Sequence, residues 1–339
     1  MRSLTKLLKL GISVGLLGWL AWRTDWSQVR EALAEVRLQT WLFALALYLG
    51  SQVVSGIRWS WLARPFGFRA PLWRYVECIL IGMYFNLFLP TSVGGDVVRA
   101  WYLDANSGRR AEAFVSVFAD RLTGLLVLVM LACLAVVLSP VAMPPWVPAC
   151  VWTVAGCTVA AVVALPLVTR WTHRFTRFQP AAKAIRFYVR HPRVLLAALA
   201  LSVLVQAANI VLVWILGQAI TPQVPPLYYW IFVPMVTLLT LVPISLNGMG
   251  VREWGVVWFL HPFGVVAGAA LSLSFLWFLV MTMSSLLGGA VYLVRSFPQS
   301  EVQPSHEPVG HHPYQGRAGQ PEAIARSAAA SPDSTRARV

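Results

Sequence analysis

The sequence predicts an all-α integral membrane protein, an inverted-repeat helical bundle of six full spans plus two re-entrant, broken helical hairpins. Three observations carry that prediction. The 339-residue chain is 58% hydrophobic and 12% charged, about half the charged share of a soluble domain. Long apolar runs recur along it, most near or above the ~17 residues that a spanning helix needs. One twelve-residue motif occurs twice, 153 residues apart, as P-T-S-V-G-G-D-V-V-R-A-W (Pro90 to Trp101) and P-I-S-L-N-G-M-G-V-R-E-W (Pro243 to Trp254), with six identical positions.

The apolar runs fall at about 7–22, 41–57, 113–138, 149–168, 194–217 and 265–294. The first lacks a small-residue cleavage site and runs into Trp-rich sequence, which predicts an uncleaved helix and not a signal peptide. Two shorter runs, 76–89 and 229–242, end in the repeated motif. A short amphipathic piece follows each, at 97–104 and 250–260. A helix, a Gly-rich break and a half-helix in series predict a re-entrant hairpin.

The 153-residue offset extends beyond the motif, since Trp41 and Val194 open matching runs and 113–138 aligns with 265–294. The membrane domain therefore spans 1–297, with repeat halves at about 1–145 and 146–297. Three crossings per half is an odd number, so the second half should enter the bilayer inverted. From 298 to 339 Pro, Ser, Ala, Gln, His and Arg dominate, which predicts a disordered tail.

Charge supplies an independent check. Lys and Arg outnumber Asp and Glu by 27 to 13, but they sit between apolar spans. They set orientation and meet anionic headgroups there, so nucleic acid is excluded as a partner. Arg2, Lys6 and Lys9 place the N-terminus on the cytoplasmic side, with Arg58, Arg64, Arg69, Arg74, Arg109 and Arg110. The most basic loop, with Arg170, Arg174, Arg177, Lys183, Arg186, Arg190 and Arg193, joins them only if 76–108 re-enters and returns. The expectation is a multi-pass protein of the bacterial inner membrane with both termini cytoplasmic. Arg58-Trp59 reads as a snorkelling anchor at a helix end.

Irregular backbone is tolerated in hydrocarbon only inside protein or along a cavity. The breaks at Gly94-Gly95 and at Asn247-Gly248-Met249-Gly250 should therefore lie in the bundle, each exposing amide N–H groups at a half-helix start. One turn on, Arg99 and Arg252 add a planar fork suited to phosphate. These residues, with Ser92 and Ser245, are the candidate substrate-binding set for an anionic lipid headgroup. Asn86, Ser92, Ser245 and Asn247 have two readings, as hydrogen-bond partners of the substrate or as satisfiers of carbonyls freed in the breaks.

Asp96, Glu253, Asp120 and Arg121 are the candidate gating or proton-coupling groups. Asp96 has capping of Val98 or Arg99 as an equal alternative. Glu253 adjoins Arg252, and neighbours on a helix point apart, which favours Arg99 or Arg121 as its partner. No catalytic constellation, metal-ligand spacing or cofactor motif is present. The four cysteines, Cys78, Cys133, Cys150 and Cys157, read as buried free thiols.

L-P-T-S-V-G-G-D-V-V-R, D-R-L-T-G-L and P-I-S-L-N-G-M-G-V-R-E, in that order, resemble the signatures of the lysylphosphatidylglycerol synthase transmembrane family. That family includes the flippase-like membrane region of the bacterial multiple peptide resistance factor. The likeness covers about residues 5–297. It implies movement of an anionic, aminoacylated or polyprenyl-phosphate-linked lipid between leaflets. Its motif residues fall on Pro90, Gly94, Gly95, Asp96, Arg99, Asp120, Arg121, Gly248, Gly250, Arg252 and Glu253. In full-length synthases a soluble aminoacyl-transferase domain follows, whereas about 40 polar residues follow here. Three classes of function stay open at this point: a flippase, a lipid-modifying transferase using Asp96 or Asp120 as base, and a scaffold for a lipid synthase or glycosyltransferase. A homo-oligomer is compatible with each.

Overall fold

The computed structural model describes residues 27, 30, 34–89, 93–104, 108–140, 142–172, 179–241, 245 and 248–294. The expected first span (7–22), the tail (298–339), Ser92 and Asn247 lie outside them.

Ten helices order the described chain: α1 (Leu38–Ala63), α2 (Leu72–Phe88), α3 (Val93–Asp104), α4 (Arg110–Leu138), α5 (Trp146–Thr172), α6 (Gln179–Arg190), α7 (Pro192–Ile220), α8 (Pro226–Leu241), α9 (Val251–Leu260) and α10 (Ala267–Val294). Five are long and apolar enough to cross a membrane, in α1, α4, α5, α7 and α10. They coincide with the five expected spans that fall in the described residues. The α2 and α8 helices, of 17 and 16 residues, are the shorter runs that lead into the breaks.

Local chemistry sets the helix ends. Pro192 opens α7 where its missing N–H costs nothing. After α1, Arg64–Phe66 forms a 3-10 turn closed by left-handed Gly67. The α3 helix begins at Val93, four residues earlier than its amphipathic pattern suggests, so Asp96 sits inside the first turn.

The two halves share packing partners as well as helix order. α1 packs on α2 as α7 packs on α8, α2 on α3 as α8 on α9, and α3 on α4 as α9 on α10. Across the halves, α2 lies against α10 as α8 lies against α4, and α1 meets its own counterpart α7. α5 and α6 link the halves. α6 is strongly amphipathic: Ala182 and Ala184 are buried while Lys183, Arg186 and Arg190 are exposed. It is tied to the end of α1 by the Tyr188 hydroxyl, which donates to the Leu62 carbonyl at 2.7 Å.

Two apolar clusters hold the bundle. One gathers Tyr228, Tyr229, Phe232, Leu212, Leu216 and Phe259 around α7, α8 and α9. The other gathers Trp59, Phe66, Tyr75, Ile79 and Val117 around the end of α1, α2 and the start of α4. Along α4 the change from one to the other falls between Val117 and Val127. Asp120 is there.

Candidate functional site

Asp120 is the hub of the first half. It is buried on α4, and each carboxylate oxygen takes a separate arginine: Oδ1 accepts from Arg58 Nε at 2.7 Å, and Oδ2 from Arg99 Nη2 at 2.8 Å. Arg58 spends its remaining donors on the Ser202 hydroxyl at 2.9 Å and the Ser55 hydroxyl at 3.2 Å. The Arg99 guanidinium lies 4.7 Å over the Trp59 ring, whose indole N–H donates to Ser116 at 3.1 Å. A cation held by two charge-assisted bonds or a ring face tolerates burial that a bare one does not.

The network continues outward. Asp96 accepts from Arg121 Nε and Nη2 at 3.0 to 3.2 Å, a fork held between α3 and α4. The nearer Asp96 oxygen is 3.5 Å from Arg99 Nε, which makes no hydrogen bond. Three guanidiniums, Arg58, Arg99 and Arg121, thus face two carboxylates, Asp120 and Asp96. One positive charge is left over.

Two expectations change here. Arg58 and Trp59 are no interface anchor: they are 5% and 0% exposed, inside α1 and at the centre of the network. Burial wins over snorkelling because Asp120 supplies the countercharge. Asp96 does not cap the half-helix, since α3 starts before it and its carboxylate is taken by Arg121.

The Gly94-Gly95 pair, expected as a break, lies inside the first turn of α3 and has a different role. The Gly95 N–H donates to Asn86 Oδ1 at 2.8 Å, so that amide is occupied. A Cβ on Gly95 would overlap the Gly82 carbonyl oxygen and the Asn86 side chain. Glycine serves here to bring α2 and α3 into backbone contact. Of the two readings of Asn86, the geometry matches the one that satisfies the break, though with an amide in place of a carbonyl.

In the second half Arg252 is again buried, and pairs with Glu253. Sequence reasoning placed that partner across the interface because adjacent helical residues diverge. The exception arises at a helix start: Gly250 takes φ 82° as N-cap, and Glu253 Oε2 folds back to accept its N–H at 2.7 Å. This brings the other oxygen to Arg252. Arg252 Nε donates to Ser274 at 3.1 Å, and its guanidinium lies 4.6 Å over Phe278. Gly248 has φ 77°, and the Ser245 hydroxyl is buried without a hydrogen-bond partner. Among the described residues no ion pair joins the Arg252–Glu253 set to the Arg99 set.

Sequence reasoning missed Ser55, Ser202, Ser116, Ser274 and the role of Arg58. A signal for part of it was present: Ser51, Ser55 and Arg58 recur at helical spacing, a polar stripe on one face of an apolar helix. Among the described residues no group of three His, Cys, Asp or Glu is placed to hold a metal ion.

Buried arginines thus lie beside both repeated motifs of the bundle. No curated protein matches the chain. The family model described as the lysylphosphatidylglycerol synthase TM region matches residues 6–289, and the chain belongs to that family.

Proposed function

We propose that the protein is a flippase of the bacterial inner membrane, moving an anionic or aminoacylated phospholipid, or a polyprenyl-phosphate-linked lipid, between leaflets. One observation carries the reading. Buried Arg58 and Arg99 share Asp120, with Asp96 beside them, Arg121 adds one further positive charge at the exposed rim, and Arg99 Nε has no hydrogen bond. A bare central arginine in a bilayer costs at least ~2.5–3.5 kcal/mol; Arg99 shares its one close carboxylate with Arg58, and a phosphate arriving there would add a countercharge and use the free N–H.

The paired contacts of the two halves support a repeat, and three spans, α1, α4 and α5, precede α7, the counterpart of α1, so a re-entrant α2–α3 hairpin would make the repeat inverted. Both termini are then cytoplasmic, by the positive-inside tendency. Arg252 plays the matching part in the second half. Glu253 neutralises it, so protonation or displacement of Glu253 would expose its charge and reset the cavity. Gly94, Gly95, Gly248, Gly250, Ser245, Ser92 and Asn247 shape the breaks around the headgroup.

The test is leaflet exchange of fluorescent phosphatidylglycerol in proteoliposomes, read by dithionite quenching. Wild-type protein should accelerate exchange over protein-free vesicles. Arg99→Gln should slow it about tenfold, the loss of roughly one charge-assisted hydrogen bond. Arg58 still neutralises Asp120 in that variant, so the fold survives. Exchange that is equal with and without wild-type protein refutes the proposal.

A further inference from the structure

The proposed headgroup cluster does not use one feature of the bundle wall: a groove of about 620 Å3 between α3 and α4, in the size range of ligand pockets. Val97, Trp101, Phe114 and Phe118 line it, Arg110 stands at one end, and Ala181 of α6 lies beside it. Trp101 is 50% exposed. Its counterpart in the second motif, Trp254, stacks on Trp258, which stacks in turn on Trp146. The same motif position is open in the first half and covered in the second.

Charge complementarity selects the occupant. The Arg110 side chain is 71% exposed and sits 3.6 Å from Asp104, with its guanidinium 5.7 Å over Trp101. Asp104 also accepts the backbone N–H of Arg109 at 2.7 Å, while the Arg109 guanidinium turns to the Phe66 carbonyl and the Phe68 ring. Lys183, Arg186 and Arg190 of α6 are exposed at this same end, as an amphipathic helix lying against anionic headgroups requires. From Arg110 to Phe118 the helix rises about 12 Å. Phe114, Phe118 and Arg121 share one face of α4 by spacing, so the apolar track ends at the Asp96–Arg121 pair, the outer edge of the buried cluster.

We propose that this groove is a lateral docking site for an anionic phospholipid drawn from the leaflet at the basic end. Its phosphate rests on Arg110, and one acyl chain lies along Val97, Trp101, Phe114 and Phe118. The inference rests on the flippase reading for one step, that the docked lipid proceeds to Arg121 and Arg99.

The full chain in nanodiscs, with phosphatidylglycerol bearing a diazirine on one acyl chain, provides the test. Irradiation should place adducts on segments 97–101 and 110–118, with phosphatidylcholine of the same chain giving about fivefold less, the worth of one arginine at a charged surface. Arg110→Gln should lower phosphatidylglycerol labelling to the phosphatidylcholine level. Ala111→Trp, which fills the groove, should remove it while adducts at the exposed far end of α4 (Leu134, Val137 and Leu138) persist. Equal labelling of that far end and the groove, or no preference for phosphatidylglycerol, would each overturn the proposal. Groove labelling by a protein that shows no leaflet exchange keeps the docking site and rejects the flippase reading. Exchange without groove labelling does the reverse.

Discussion

Replacing Asp120 by Asn tests whether the arginine network is held by charge or by shape. Asn is nearly isosteric with Asp, so packing against α1 and α3 is preserved. Its amide offers one acceptor where the carboxylate offers two, and turns a donor toward one arginine. Asp120 now takes Arg58 Nε at 2.7 Å and Arg99 Nη2 at 2.8 Å, with all three side chains under a tenth exposed. Removing one member of a buried pair costs about 3–5 kcal/mol, most of it from the charge left unpaired. Here two arginines lose a partner, while Ser55, Ser202 and the Trp59 ring remain to hold them, so the expected loss is about that range and not twice it. Equilibrium unfolding of the purified protein by SDS titration in mixed micelles measures it. Arg58→Met with Asp120→Leu should recover part of the loss relative to Asp120→Asn, because it removes one of the two orphaned arginines, while Arg99 keeps only Asp96 and the Trp59 ring. An Asp120→Asn protein within about 0.5 kcal/mol of wild type, the scatter of a neutral surface change, would refute the reasoning.

Two further outcomes follow from the breaks. Gly95→Ala forces a methyl against the Gly82 carbonyl and should destabilise the protein by about 1–3 kcal/mol or more, measured by the same titration, whereas Gly108→Ala, which meets no neighbour but takes positive φ, should cost about 1 kcal/mol. Glu253→Gln keeps an oxygen for the Gly250 N–H but removes the charge beside Arg252. It should retain more phosphatidylglycerol than wild type in native mass spectrometry and exchange it more slowly; unchanged retention would count against Glu253 as the neutralising group.

The fold was legible where hydrophobicity alone decides it. Five spans and both half-helix pairs follow from run length and from the repeated motif, and α2 and α8 end 153 residues apart, at Phe88 and Leu241. The candidate residues were legible as types but not as partnerships. An arginine in an apolar run announces a buried charge, yet its countercharge lies 62 residues away for Arg58 and 21 for Arg99, and periodicity holds no information about that. Glu253 was misassigned because the rule that neighbours diverge belongs to helix interiors. At the first turn a side chain folding back to the N-cap amide changes direction. Asp96 was misplaced for a related reason, since α3 extends through the Gly94-Gly95 pair that composition marks as a breaker.

The difference between the halves has a physical rationale. A bundle that left both motif arginines bare would carry at least ~5–7 kcal/mol of unrelieved burial cost, comparable to the whole stability of an ordinary domain. One that neutralised both fully would give an anion no reason to leave the interface. Pairing Arg252 with Glu253 while leaving three arginines to two carboxylates around Arg99 lies between these limits. It leaves one unit of positive charge at the rim of the first cluster, on Arg121 beside the α3–α4 groove, and none at the pseudo-equivalent position, where Trp254 stacks on Trp258. Within the motif, Glu253 opposite Ala100 is the difference that neutralises the second arginine, and Asp96 opposite Met249 is the one that brings Arg121 to the first.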